Sequence, residues 1–372
     1  MRTVEIEAAP RRGLFSPGNT VLYARPINLN MVSRSRVDKI HSPMLADNLI
    51  KFDSIEILLR NDRSIITFRT TIDIAREWAL ADGCLEELDE LVLNMTARRK
   101  AFSAIQKNCP LLMGVVNTAP DSFYDGGRHS NHKAAISHAH ALIAAGANII
   151  DVGGESSRPG SIEISAQEEI DRVIPVVEKV VGFGIPVSID TKKSEVMEVA
   201  VSTGASIIND ISALTADPKS LMIASKLDVP VILMHMQGRP GNMQDNPLYD
   251  FAPLDIFDYL KWRISICGKA GISLDKILVD PGIGFGKDTE HNRSILNRLS
   301  LFHGLRVPIV LGASRKSMIA NLSCGEPVEE RLPGSLAIAL WALGQGVQVL
   351  RVHDVAETRQ AIKIYQAMVD DI

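Results

Sequence analysis

Residues 147–153 read ANIIDVG. Gly146 stands just before the run, and an aspartate and a glycine stand where it ends. The apolar stretch is β-branched and continuous rather than alternating. That is the pattern of a strand covered on both faces, as in a parallel sheet. The pattern recurs along the chain: Leu111–Asn117 (LLMGVVN), 186–191 (PVSIDT), 206–211 (SIINDI), 230–236 (PVILMHM), 277–281 (ILVDP), 308–314 (PIVLGAS) and 347–355 (VQVLRVHDV). Glycine precedes several of these runs, as at Gly146-Ala147, Gly204-Ala205 and Gly346-Val347, which suits a helix stop feeding a strand. Stretches of helical spacing lie between them, among them 167–181 and 254–270. Eight such units in about 260 residues predict a (β/α)8 TIM barrel, an α/β fold, over residues 108–372. The competing arrangement is a doubly wound open sheet.

Residues 1–107 lack this rhythm. Ser54–Arg60 (SIEILLR) and 64–70 (SIITFRT) read as two short strands, with a hairpin turn at 61–63. Residues 71–106 suit a helix interrupted near Asp82-Gly83. A small α+β N-terminal appendage, packed on the main domain, is the expectation. Its function is not legible.

The chain has 372 residues, a net charge of −4, 46% hydrophobic and 23% charged residues. That composition excludes wholesale disorder and a basic nucleic-acid binder. Aromatic residues at 5% disfavour a base-stacking platform. Cys84, Cys109, Cys267 and Cys324 are scattered without a CxxC pair, which points away from disulfides and zinc and toward a cytoplasmic location. No signal peptide is visible at the N-terminus, and no apolar run is long enough to span a membrane.

In a barrel the chemistry sits at the C-terminal ends of the strands. Nearly every predicted strand ends there in a polar group: Asn117; Asp151 and Glu155; Asp190; Asn209 and Asp210; His235; Asp280; Ser314, Arg315 and Lys316; Arg351 and His353. One such residue alone is better read as a hydrogen-bonded structural group. A full ring of them converges on one mouth and calls for a shared polar ligand. Asp190, Asn209 and Asp280 suit a heterocycle rich in N–H donors, guanidine-like in its edge. Lys316, Arg351 and His353, with Ser314 and Ser317, suit phosphate. Phe285 and Met234 would wall a flat ring, although each alone reads as core. The side-chain oxygen of Asn117 suits Mg²⁺ beside a diphosphate, because Mg²⁺ needs few protein ligands. Two loops, 120–128 (PDSFYDGGR) and 155–160 (ESSRPG), have the composition of active-site loops, with Arg158 suited to an anion and Ser157 to positioning one. An ordinary surface turn is the alternative for each. His235 reads as structural. There is no GxSxG, Walker A or HExxH motif, and the GIGFG of 282–286 follows strand six, so it is not a dinucleotide fingerprint.

Taken in order, the stretches 113–127 (MGVVNTAPDSFYDGG), 149–160 (IIDVGGESSRPG), 187–191 (VSIDT), 207–212 (IINDIS), 233–244 (LMHMQGRPGNMQ), 279–287 (VDPGIGFGK), 314–319 (SRKSMI) and 351–355 (RVHDV) resemble the dihydropteroate synthase family of folate biosynthesis. The resemblance covers residues from about 110 onward, and only weakly extends to an N-terminal extension of some bacterial members. It implies a transferase: 6-hydroxymethyl-7,8-dihydropterin diphosphate condenses with 4-aminobenzoate to 7,8-dihydropteroate and pyrophosphate, by an SN1-like, Mg²⁺-assisted path. It implies pterin binding by Asp190, Asn209, Asp280, Lys316, Met234, Phe285 and Arg351. For the diphosphate it implies Ser157, Arg158, Arg351 and His353, with Asn117 holding the metal. For 4-aminobenzoate, the sulfonamide-competed site, it implies Phe123, Ser157, Lys316 and Ser317. A homodimer through barrel helices is implied as well. The family's usual first loop, Asn-x-Thr-Pro-Asp-Ser-Phe-Ser, is altered here by Ala119 and Tyr124, and Ser157 replaces a usual threonine. The alternative readings are a non-catalytic pterin-binding paralogue and a pterin-dependent methyltransferase.

Overall fold

Every one of the predicted apolar runs becomes a strand. In the computed structural model, residues 2–5, 20–32, 42–47, 49–62, 64–99, 110–118, 128–156 and 160–369 are described. The N-terminal part holds β1 (Arg2–Glu5), β2 (Val21–Ile27), β3 (Asn30–Met31), β4 (Ile50–Lys51), β5 (Ser54–Arg60), β6 (Ser64–Thr71), α1 (Ile72–Asp82) and α2 (Leu85–Thr96). The rest alternates: β7 (Leu111–Asn117), α3 (Arg128–Ala145), β8 (Ile149–Gly153), α4 (Ala166–Val181), β9 (Val187–Asp190), α5 (Ser194–Thr203), β10 (Ile207–Asp210), α6 (Ser220–Leu227), β11 (Val231–Met234), α7 (Ala252–Lys269), β12 (Ile277–Asp280), α8 (Thr289–Asn297), β13 (Val310–Leu311), α9 (Ser317–Leu322), α10 (Leu332–Gly344), β14 (Val349–Val352) and α11 (Val355–Val369).

These last strands form one parallel eight-stranded sheet in the order β12-β11-β10-β9-β8-β7-β14-β13. A parallel bridge between Val279 and Ile309 joins its two ends. The sheet is therefore a closed barrel, not an open one. Several strands are shorter than their apolar runs. Pro186, Pro230 and Pro308 lead into them without an N–H to give a ladder, and Ile309 is taken up by the closing bridge, which leaves β13 only two residues.

The barrel floor is a buried layer of Leu111, Met113, Ile149, Ile207, Ile232, Leu278, Val310 and Val349. Side chains in a strand alternate between faces, so the residue two places further on also points inward. Two beyond Ile149 is Asp151, beyond Ile207 Asn209, beyond Ile232 Met234, beyond Leu278 Asp280, and beyond Val349 Arg351. The apolar floor and the polar mouth are thus two layers of one interior, set by strand periodicity.

The appendage is more strand-rich than its sequence suggests. A four-stranded sheet, β1-β6-β5-β2, has β1 parallel to β6 and the remaining pairs antiparallel, with β3 and β4 as a separate pair. The predicted β5–β6 hairpin is present, but β1 to β4 went unread. β3 and β4 have two residues each, too few for any pattern, and β2 contains Arg25 and Pro26. The break at Gly83 is real, with φ +76° in the left-handed region that glycine tolerates. The second helix stops at Thr96, short of the expected stretch to 106, of which residues 100–106 lie outside the described residues. The boundary expected at 107/108 lies outside the described residues.

Both faces of this sheet are covered. Ile55, Ile57, Leu59, Phe68, Trp78, Leu88 and Met95 form the appendage's own core. Tyr23, Leu58 and Ile65 belong instead to the core around the barrel. The seam is pinned by Tyr23 donating to Asp258 (2.8 Å), Ser300 donating to the Pro26 carbonyl (2.9 Å) and Arg99 donating to the His303 carbonyl (2.9 Å). Among the described residues, no helix is long and apolar enough to cross a membrane.

Candidate active site

The C-terminal ends of the strands share a level. Asn117 is opposite Gly153, Gly153 opposite Asp190, and Asp190 opposite Asn209; Met234 is opposite Asp280. Register alone therefore brings Asn117, Asp190, Asn209, Met234 and Asp280 to one mouth. Arg351 reaches it from β14.

One hydrogen-bonded network joins four of these strands. Arg351 Nε donates to Asp151 Oδ2 and its Nη2 to Asp190 Oδ2, each at 2.7 Å. Asn209 Nδ2 donates to the same Asp151 oxygen at 3.2 Å. Burial pushes the Asp190 carboxyl upward, against the pull of Arg351. Burial likewise raises Asp280, whose Oδ1 accepts from the Gly282 N–H at 2.7 Å.

Lys316 approaches from the loop after β13. It donates to the Ile283 carbonyl and lies 4.4 Å from the Phe285 ring centroid. Desolvation pushes its ammonium down to about 8, with Asp280 pulling the other way. The backbone that aims it is unusual. Arg315 has φ +57°, and its guanidinium is clasped by both carboxylate oxygens of Asp354. The clasp ties the loop of Lys316 to the end of β14, where His353 Nδ1 lies 3.1 Å from Ser314 Oγ. His353 reaches solvent at the rim, yet desolvation and the Arg351 charge push its imidazole down to about 4. Ser317 is exposed at the start of α9.

The glycine pattern after β12 has a steric cause. A Cβ on Gly282 would sit 2.0 Å from the His235 carbonyl oxygen, and one on Gly286 2.3 Å from that of Gln237. The turn wraps the buried Lys287 ammonium, which lies 3.0 Å from His235 Nδ1 and donates to the carbonyls of Gly282 and Phe285. His235 is buried in this arrangement, in keeping with the structural reading. The turn positions Phe285, and Met234 is buried beneath Gly282.

Phe123, Ser157 and Arg158, with Ala119 and Tyr124, lie outside the described residues. Asn117 is exposed at the end of β7. Among the described residues, no group of three His, Cys, Asp or Glu side chains could hold a metal ion. Sequence reasoning saw Asp151 and Glu155 as strand-end carboxylates but left both out of the binding set, and it overlooked two supports of the mouth, the Arg315–Asp354 clasp and Lys287. The Glu155 carboxylate meets Lys192 (3.1 Å) and Lys193 at the base of the second loop. The signal for Asp151 was present in its spacing from Ile149. Long-range ion pairs carry no such signal.

Residues 113–353 match the pterin binding enzyme family. The dihydropteroate synthase of Escherichia coli (strain K12) is 49% identical over 259 residues, 69% of this chain and 91% of that protein. The structure of the Xanthomonas albilineans dihydropteroate synthase with 4-aminobenzoic acid is 43% identical, with TM-score 0.67 over 71% of this chain and 95% of that one. The same enzyme in complex with 7,8-dihydropteroate is 41% identical, with TM-score 0.65 over 71% and 95%. Closed barrel, strand-end ring and these likenesses agree: the chain belongs to the dihydropteroate synthase family of pterin-binding enzymes.

Proposed function

We propose that the chain condenses 6-hydroxymethyl-7,8-dihydropterin diphosphate with 4-aminobenzoate to give 7,8-dihydropteroate and pyrophosphate. The observation that carries this reading is the interior layer of Asp190, Asn209 and Asp280 with Lys316 beside it. Three oxygen acceptors and one cation suit the amino-pyrimidinone edge of a pterin, which presents N–H donors and a carbonyl. Met234 and Phe285 supply the flat apolar walls.

As the diphosphate leaves the pterin methylene, an SN1-like path places positive charge on the ring and negative charge on pyrophosphate. Asp190 and Asp280, buried at the strand ends, stabilise the first, and Arg351 with Arg158 would stabilise the second. His353 offers pyrophosphate a hydrogen bond from the rim, and Ser157 positions the same group. The aniline nitrogen of 4-aminobenzoate is already a nucleophile, so Phe123, Ser157, Lys316 and Ser317 have to position it rather than activate it. Asn117 offers one hard oxygen donor at the strand end, a sparse donor set of the kind Mg²⁺ accepts when phosphate and water complete its shell. Bound there, Mg²⁺ would neutralise phosphate charge. We place the enzyme in the cytoplasm, as a homodimer; Trp341, Ile364 and Met368 of α10 and α11 are exposed apolar residues that a second copy would cover.

The test is pyrophosphate release by the purified protein with the pterin diphosphate and Mg²⁺, with and without 4-aminobenzoate. Release that depends on 4-aminobenzoate, with dihydropteroate formed, is the expected result. Binding of the pterin diphosphate without turnover would instead identify a non-catalytic paralogue.

A further inference from the structure

Asp190 is already occupied. Its Oδ2 accepts from Arg351 Nη2 at 2.7 Å, and a guanidinium is, in its donor geometry, a close copy of the amino-pyrimidinone edge of a pterin. A pterin edge that forks onto both Asp190 oxygens needs the oxygen Arg351 now holds, so the two donors compete for Oδ2 and Arg351 yields it when the ring seats. What it keeps is its second contact, Nε to Asp151 Oδ2, also 2.7 Å. Asp151 is built to keep it. The side chain has no solvent exposure, Asn209 braces the same Oδ2, and Oδ1 is buried with no hydrogen-bond partner among the described residues, so it has spare capacity for a guanidinium that turns. The Asp190 side chain is 18% exposed, on the solvent side of the pair.

Building on the pterin reading above, we infer that Asp151 is the pivot of an exchange. The pterin edge takes Asp190 from Arg351, and Asp151 retains the guanidinium in the mouth, where it meets the diphosphate. Seating of the ring thus delivers the cation to the leaving group. Asp151 is a positioning residue in this scheme, acting through Arg351 and touching no reacting atom.

The exchange has a signature that a structural role lacks. Without the Asp151 charge, Asp190 is the one carboxylate left in ion-pair contact with Arg351 among the described residues, with Asp280 acting from further off, so Arg351 competes harder with the pterin. Asp151→Asn should weaken binding of 6-hydroxymethylpterin, a probe without diphosphate, about tenfold by calorimetry. Removing the competitor as well, in Asp151→Asn/Arg351→Gln, should restore probe binding to within about threefold of Arg351→Gln alone. Turnover of the pterin diphosphate should be low in all three variants, because none delivers the guanidinium. A double variant that binds the probe as weakly as Asp151→Asn would make Asp151 a direct acceptor or a structural group and overturn the exchange. So would unchanged probe binding and unchanged kcat in a folded Asp151→Asn. Should that variant fail to fold, Arg351→Gln alone decides: binding of the probe at least as tight as wild type supports the exchange, and weaker binding overturns it. Wild-type protein that neither binds the probe nor releases pyrophosphate would instead fail the pterin reading itself.

Discussion

Two buried charge clusters in this molecule use the same chemistry to opposite ends. At the seam between appendage and barrel, one carboxylate serves several guanidiniums: Glu56 meets Arg25 at 2.5 Å, Arg69 at 3.3 Å and Arg298 at 4.0 Å. Arg25 also donates to the Asn297 carbonyl at 2.8 Å. Burial would raise the Glu56 carboxyl, but Arg25, then Arg298 and Arg69, hold it below its ordinary value. In the mouth the proportions reverse. One guanidinium serves Asp151 and Asp190, one carboxylate oxygen is left without a hydrogen bond, and Asp190 is raised rather than lowered. Both clusters leave buried polar atoms without a hydrogen bond among the described residues, Arg99 Nε and His303 Nδ1 at the seam and Asp151 Oδ1 in the mouth. What separates them is the charge balance: the surplus at the seam is cationic and holds its carboxylate down, while the surplus in the mouth is anionic and leaves Asp190 raised.

Breaking the seam should show the larger effect. Glu56→Ala leaves the buried Arg25 without its carboxylate, and removing one partner of a buried pair costs about 3–5 kcal/mol. Urea unfolding should register that loss, while turnover per folded molecule stays near wild type. A loss under about 1 kcal/mol would mean that Arg25 relaxes into solvent, and the contrast would fail. The sign in pH follows from the lowered carboxyl. The contribution of Glu56 is present above the unfolded carboxylate range, around 4.3, and is lost as pH falls through the lower folded value. In the mouth, Asp190→Asn keeps shape and removes charge. Hydrogen bonds to charged groups are worth about 1.5–3 kcal/mol, so pterin diphosphate affinity should fall about 10- to 100-fold, with a much smaller change in unfolding free energy. A destabilisation matching that of Glu56→Ala would erase the distinction.

The contrast also marks what could be read from sequence. The barrel was legible because its information is local: β-branched runs such as 147–153 announce strands one at a time, and closure follows from their number. The mouth was legible for the same reason, since Asp190, Asn209 and Asp280 end strands and Arg351 lies on one, two places past an apolar floor residue on three of these strands. The seam was not. Glu56 lies on β5 and Arg25 on β2, Arg298 follows α8, and nothing in their spacing announces that they meet. The two-residue strands β3 and β4 exist only because tertiary packing holds them. The downward push on the His353 imidazole was equally hidden, because it depends on desolvation first and then on Arg351, Arg315 and Lys316 converging from different loops.

Within the mouth, the lysine gives a finer test. Lys316 is pushed down to about 8, so it is a cation below that pH and neutral above it. If its charge is what the substrates need, kcat/KM should hold level up to about pH 8 and fall tenfold per unit beyond, since this parameter reports the free enzyme. Lys316→Arg keeps the charge to far higher pH and should remove that alkaline limb, whatever it does to the rate at neutrality. An alkaline limb that persists in this variant belongs to another group.

The smallest effect is expected where the contact looks just as good. On the appendage surface, Arg76 Nε meets Asp89 at 2.7 Å, the distance at which Arg351 meets Asp151, but these side chains are 47% and 45% exposed. Water competes for both partners, and such pairs contribute about 0–1 kcal/mol. Arg76→Ala should therefore shift the unfolding free energy by less than about 1 kcal/mol and leave kinetics untouched. The short contact is shared by this exposed pair and by the buried pairs of Glu56 and Asp151, so a short distance alone does not predict the cost of breaking one. If Arg76→Ala proved as costly as Glu56→Ala, geometry rather than desolvation would govern the charge pairs of this fold, and the case for a special role of the wholly buried Asp151 would weaken with it.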